Sequence, residues 1–242
     1  MGRDGESRGA RGRDRARRPG GARGAAGEID GYEILSLAEL EAFPDARHDG
    51  PELLPLRYLL DLRAFGANAW TAPAGKQIVP RHAEDSGDEE LYVVVRGRVS
   101  FTVGDETADA PAGTLIDVPD GVVREAVARE EGSIVLAVGG RHGRAFTPHG
   151  WDEVVVAFAK ARRGDLAGAR AMLQALIARQ PGEWHAPYNA ACFEALAGNP
   201  DEAFAALAQA VELDADAVRS HAPGDGDLAS LHGDPRWQEL VG

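Results

Sequence analysis

The 242-residue sequence has a single cysteine, Cys192, so no internal disulfide framework and no cysteine-based metal site is expected. Its neighbours Ala190, Ala191 and Phe193 mark it as a small buried hydrophobe rather than a reactive thiol. Lysine is almost absent: Lys76 and Lys160 are the only two among 26 basic residues, a coding bias that says little about function. No apolar run approaches the ~20 residues that a membrane span needs, and no apolar signal core follows the N-terminal charges. The expected compartment is therefore the cytoplasm, with no membrane partner. The sequence contains no phosphate-cradling GxxxxGK loop, no GxSxG nucleophile elbow and no HExxH helix. Positive charge is short as well. The net charge is −13, and because residues 1–28 hold eight Arg against four acids, the rest of the chain carries −17. An acidic body repels phosphate backbones, which excludes nucleic acid as a partner of the folded part.

What is present divides the chain into a tail and two halves. Residues 1–28 are nearly all Gly, Arg, Ala, Asp and Ser, with no aliphatic side chain larger than Ala after Met1. Such a segment cannot repay its ordering entropy, so a disordered basic tail is expected. The absence of aromatic residues to stack bases favours a plain solvated tail, or a start codon set too far upstream, over an RNA- or membrane-touching arm. From 29 to 147, short β-branched and aromatic runs alternate with Gly, Pro and Asp breakers. The clearest candidate strands are Tyr58–Leu62, Ala67–Thr71, Leu91–Val95, Val99–Val103, Thr114–Val118 and Ser133–Val138. Tight hairpin turns are expected at Arg96, Gly97 and Arg98 and at Gly104, Asp105 and Glu106. Ahead of them, Ser36 and Glu39 form a capping-box pair that predicts a short helix ended by Pro44. Many short strands at this spacing predict an antiparallel sandwich or barrel.

From 148 to 242 the period changes to that of helices, and the sequence repeats itself. Gly164, Ala169, Leu173 and Leu176 recur as Gly198, Ala203, Leu207 and Ala210, an offset of 34 residues. Small residues at 169 and 203 allow close helix approach, and the leucines at 173 and 207 fill the gap beside them. With Gly at the turn between helices, this period resembles the tetratricopeptide repeat, which implies two α-helical hairpins with a possible protein-binding groove. Leu228, Leu231, Trp237 and Leu240, with Asp234 and Pro235 opening a last helix, resemble the closing element of such an array. Two units are marginal alone, so the helices are expected to lean on the strand-rich half.

The strand-rich half carries one chemical constellation. His82, Glu84, Asp88 and Glu90 precede a buried run, Leu91 to Val95, that ends at Gly97; further on stand Gly113, Pro119, Gly121 and Arg124. The stretch from Gly75 to Gly97 resembles the first motif of the cupin family, and Gly113 to Arg124 resembles the second. The resemblance implies a jelly-roll β-barrel, commonly paired into a homodimer. In that family three imidazoles and one carboxylate hold iron, manganese, nickel or zinc. Here His82 matches the first His, Glu84 or Asp88 the second, Glu90 the carboxylate, and Arg124 the last His. A guanidinium cannot deprotonate in a protein and cannot be a metal ligand.

Three readings of the constellation follow. Arg124 pairs inside the barrel with Glu84 or Glu90, supplying the charge that a metal would bring, or it binds a small anionic ligand. His82, Glu84 and Asp88 belong to a solvated acidic loop. Or a divalent transition metal sits on His82, Glu90 and either Asp88 or Glu84. Trp70 and Asn68 share a strand face and either line the barrel mouth or pack in the core. The expected function is a non-catalytic binding or scaffold protein, or a sensor of a small ligand, with no cofactor. The alternative is a metal-dependent oxygenase or isomerase acting on a small molecule.

Overall fold

The computed structural model describes residues 35–44, 50–84, 87–146, 148 and 150–242. The chain divides into two units, Met1–Glu41 and Ala42–Gly242. The expected tail, residues 1–28, and both His48 and His149 lie outside the described residues. In the first unit, the capping-box pair makes a turn and no helix: the Glu39 amide donates to the Ser36 carbonyl at 3.0 Å and the chain does not continue helically. The segment is too short to repay helix nucleation before Pro44, which biases Phe43 towards extended backbone.

In the second unit, strands β1 (Phe43–Pro44), β2 (Glu52–Leu54), β3 (Gly66–Ala72), β10 (Ser133–Gly140), β5 (Glu89–Arg96) and β8 (Leu115–Val118) form one sheet in that order. Strands β4 (Gln77–His82), β9 (Arg124–Ala128), β6 (Arg98–Val103) and β7 (Glu106–Pro111) form the second. All pairings are antiparallel. The two sheets enclose one core in which Tyr92 and Val94 of the first meet Val99, Phe101 and Ala126 of the second. The Tyr92 and Phe101 rings sit 5.0 Å apart at a tilt of 59°, within the favoured range for aromatic pairs. This is a cupin-like β-sandwich followed by a helical region; among the described strands the sheets do not close into a barrel. The ladders part where the chain changes sheet. One such place is Pro73, which has no amide to donate between β3 and β4.

Gly97 marks another sheet change, so the hairpin expected there is a corner. Its φ is +74°, and a Cβ would lie 2.4 Å from the Ser133 hydroxyl oxygen, so only glycine lets β5 turn into β6 against that residue. The second expected hairpin forms, with Val103 opposite Glu106 across Gly104 and Asp105. Tyr58–Leu62, expected as a strand, belongs largely to helix α1 (Leu56–Leu60). Pro55 at its N-cap and Asp61 in the left-handed region, φ +51°, bound that single turn, and Asp tolerates that conformation better than most side chains. The apolar composition of this segment suits either structure, and the flanking residues decide.

Beyond the sandwich, α2 (Trp151–Arg162), α3 (Leu166–Arg179), α4 (His185–Leu196) and α5 (Pro200–Leu213) form two consecutive helical pairs. The first residues of α2 and α4, and of α3 and α5, are each 34 apart. Ala169, Ala203 and Leu207 are fully buried, and Leu173 nearly so, as their small-and-large alternation requires for close helix packing. After α6 (Ala215–His221), Leu228, Leu231 and Trp237 bury against Phe204, Leu207 and Ala210. The Asp234 side chain accepts from the Arg236 amide to start α7 (Pro235–Leu240). Helix α2 also leans on the sandwich: Val155, Val156 and Ala159 join its core, and the Trp151 ring stacks on Trp70 at 5.5 Å, 3° from parallel.

Candidate functional site

Three strands deliver side chains to one end of the sandwich. His82 is the last residue of β4 and stands opposite Arg124, the first of β9. Glu90 lies near the start of β5, opposite Gly139 and Val118. Tyr92, two residues on, projects from the same face of the strand. Glu84 follows β4 and is held by the second motif: the Gly121 amide donates to the Glu84 carbonyl at 2.7 Å. Gly121 makes its turn with φ +74°.

The cluster converges on one oxygen. Glu90 Oε2 accepts from the Tyr92 hydroxyl at 2.5 Å and lies 3.3 Å from an Arg124 terminal nitrogen and 3.6 Å from His82 Nε2. Glu84 Oε1 is 3.7 Å from the same His82 nitrogen. His82 Nδ1 is 2.7 Å from the Pro80 carbonyl. A carbonyl only accepts, so Nδ1 carries a proton and Nε2 is the atom turned to the two carboxylates. Burial by itself would raise the Glu90 carboxyl, but hydrogen bonds from His82 and Tyr92 and the Arg124 charge outweigh it and hold it below the ordinary range. Burial would lower His82; the Glu90 and Pro80 contacts reverse that and raise it. Glu84 is raised by burial and by the charge of Glu90. Burial and Glu90 together raise the Tyr92 phenol.

Exposure orders these groups in depth. The side chains of His82 and Glu84 are 35% and 32% exposed, that of Glu90 17%, and that of Arg124 none. The cluster is thus graded in depth from two half-exposed rim groups to a guanidinium that solvent does not reach. No described residue accepts a hydrogen bond from Arg124 Nε or from either terminal nitrogen. Buried charged donors left this way are costly, each at about 1–3 kcal/mol or more.

The ion pair that sequence reasoning raised between Arg124 and Glu90 is thus present as a close contact. Asp88 accepts from Arg141 Nε at 3.3 Å, and among the described residues the grouped metal-type donors at this end are His82, Glu84 and Glu90, with donor atoms within 4.8 Å of one another. Trp70 packs in the core under Trp151. Its partner on β10 is Val135 whereas that of Glu90 is Gly139, a separation of roughly 13 Å along the strand. Asn68 Oδ1 accepts from the Arg57 amide at 3.3 Å. Two open surface grooves are lined by other residues, one of about 320 Å³ between Phe65, Leu91, Val138 and Phe146, the other of about 310 Å³ between Arg141, Pro148 and Gln180. Cys192 is buried, and burial followed by the nearby Asp225 pushes its thiol up.

Sequence reasoning missed Tyr92, although its two-residue spacing from Glu90 on a strand was the available signal. It also missed a buried ionic joint. Arg57 Nε donates to Asp152 Oδ2 at 2.8 Å, and one Arg57 terminal nitrogen reaches both Asp152 and Glu153, the latter at 3.1 Å. Glu153 in turn accepts from Arg179 at 2.5 Å. No local pattern links positions 95 residues apart.

The four-ligand donor set of a cupin metal centre is not formed by these residues. One imidazole and two carboxylates are present, and the fourth position is a cation. Two unit charges 4 Å apart interact by about 4 kcal/mol at an effective dielectric of 20, and a divalent ion beside Arg124 would meet twice that as repulsion.

No protein-family model matches the chain. Over 94 residues it is 35% identical to an uncharacterized protein of Streptomyces coelicolor, SCO3923, spanning 38% of this chain and 81% of that protein. Solved structures similar to it include cupin proteins. They include a sugar phosphate isomerase of the cupin superfamily from Silicibacter pomeroyi (24% identity, 45% of this chain and 75% of that one, TM-score 0.39). Others are an RmlC-like cupin from Desulfovibrio desulfuricans (24%, 44% and 94%, TM-score 0.36) and KdgF from a Halomonas species (18%, 41% and 91%, TM-score 0.31).

Proposed function

The chain belongs to the same family as the uncharacterized Streptomyces coelicolor protein, and from that premise and the chemistry of the His82, Glu84, Glu90 and Arg124 cluster we propose a non-catalytic binding protein: a sandwich that takes a small anionic ligand without a metal, joined to helices that meet a protein partner. The observation that carries the reading is the fully buried Arg124, 3.3 Å from Glu90 Oε2. It stands where a fourth metal ligand is expected and supplies the positive charge locally. The partner surface rests on the 34-residue recurrence of the helical pairs, which we read as tetratricopeptide-type hairpins. A homodimer and a cytoplasmic location complete the proposal; light scattering that returns a monomer would remove the dimer.

The test is elemental analysis of the purified, untagged protein beside a Glu90→Ala variant prepared identically. The proposal expects no stoichiometric transition metal in either. A second reading, a metal-dependent enzyme of oxygenase or isomerase type, is favoured by the 4.8 Å grouping of His82, Glu84 and Glu90 donor atoms. Near-stoichiometric iron, manganese, nickel or zinc that disappears in the variant would establish that reading and overturn the first.

A further inference from the structure

We infer that the groove on the outer face of the six-stranded sheet takes an apolar α-amino acid as its zwitterion, the carboxylate on Arg141 and Arg144 and the ammonium on Glu89 and Asp117. The strand pattern builds this groove. Tyr92 and Val94 point into the core, so Glu89 and Leu91 of β5 face outwards. Val138 and Asp117 stand on either side of Leu91, and Gly140 stands beside Glu89. Gly140 brings no side chain, and a Cβ built there meets no atom within 4 Å, so the floor stays open at that row. The Phe146 ring leans on Gly66, where a Cβ would lie 3.2 Å from it, and forms the wall above β3. Unlike the Arg124 guanidinium, these side chains meet solvent: Phe65 is 43% exposed and Leu91 37%. The groove holds about 320 Å³. Ligand pockets run from roughly 300 to 1,000 Å³, so this one suits a single small molecule.

The charges around this apolar floor are of both signs and largely unpaired. Arg141 Nε donates to Asp88 at 3.3 Å, while among the described residues none pairs with Arg144, Glu89 or Asp117. That balance decides the class of ligand. A fatty or aromatic carboxylate would match the arginines but meet Glu89 and Asp117, and an apolar amine would meet the opposite mismatch. A molecule with both charges on one carbon and an apolar branch satisfies all the lining groups together. Leu91, Val138, Phe65 and Phe146 select the branch, because burying it removes apolar surface from water on both partners. Glu89 and Glu90 are neighbours on β5 and point to opposite faces, so this site is distinct from the His82 cluster.

The experiment titrates L-leucine, N-acetyl-L-leucine, L-leucinamide and glycine, each to about 20 mM, against the full chain and reads the rise in melting temperature, which reports binding to the folded state by mass action. Leucine is expected to bind about tenfold more tightly than the other three, which lack the ammonium, the carboxylate and the apolar branch in turn. Gly140→Leu is expected to melt as the natural chain does, because its side chain enters open space, and to lose the leucine response. Arg144→Gln, at an exposed position, is expected to weaken that response about tenfold. Any of the three analogues equal to leucine, no response to all four probes, or an unchanged response in either variant would overturn the inference. If Gly140→Leu does not fold, Arg144→Gln and the four-probe comparison decide. Melting that rises with protein concentration in the natural chain but not in Gly140→Leu would give the groove to a second copy and overturn it too. None of these outcomes changes the metal content of the natural chain or of Glu90→Ala, so failure here leaves the reading of the His82 cluster standing.

Discussion

Two buried arginines, one at the joint between sandwich and helices and one at the sandwich mouth, are held in opposite ways. Arg57 is 8% exposed and its guanidinium is bonded to Asp152 and Glu153. Arg124 is fully buried 3.3 Å from Glu90, and among the described residues none accepts a hydrogen bond from its nitrogens. A buried ion pair with its hydrogen bonds satisfied is structural, because removing one member strands the other in a low-dielectric interior. A buried guanidinium whose donors no described residue accepts stabilises the fold little. The difference teaches that pairing, not burial as such, makes a charged group structural.

The same substitution at both positions is the sharpest way to break this comparison. Arg57→Met should cost about 3 kcal/mol or more in urea unfolding, since it leaves Asp152 and Glu153 buried with only Arg179 to offset them. Arg124→Met should lie within about 1 kcal/mol of the natural chain, because it removes unpaired donors along with one ion contact, and His82 and Tyr92 still reach Glu90. Equal losses at the two sites would erase the distinction between joint and mouth.

A smaller effect concerns acid. The Glu90 carboxyl is lower in the folded chain than its ordinary value of 4.5. A group depressed on folding contributes stability that is present above its unfolded value and is lost as pH falls through the folded one. The stability difference between the natural chain and Glu90→Gln should therefore rise as pH falls from neutral through the His82 range, because Glu90 also raises the His82 imidazole, and then shrink below about 4.5 as Glu90 itself protonates. Urea midpoints of both proteins at pH 3.5, 4.5, 5.5 and 7.5 check this, and a difference that keeps growing below pH 4.5 would reverse the sign assigned to Glu90.

Legibility followed the range of the interactions. The helical half was read in register: the 34-residue recurrence at Gly164 and Gly198 and at Ala169 and Ala203 anticipates the helical pairs, since helix spacing is local and its signals repeat. Strands with alternating or β-branched runs, such as Val99–Val103 and Ser133–Val138, were legible too. Strands β7 and β9 were not, because Glu106 to Pro111 is largely exposed and polar and β9 opens on Arg124 and Glu125. The turn at Gly97 was visible, but which sheet followed it was not, as a hairpin and a sheet change use the same residues. At the site, His82, Glu90 and Arg124 were singled out from their motif positions, whereas the place of Tyr92 and the separation of Trp70 from the cluster depended on strand register.

The sequence by itself determined composition, periodicity and the residue types at the mouth, because these depend on near neighbours along the chain. It was enough to exclude an internal disulfide and to place a guanidinium where an imidazole was expected. Only the tertiary structure decided that Arg124 is fully buried, that Glu90 lies 3.3 Å from it, and that Arg57 is bonded to Asp152 and Glu153 of α2. Burial and pairing arise when distant segments share one low-dielectric interior, and no local pattern specifies which buried charge is left open.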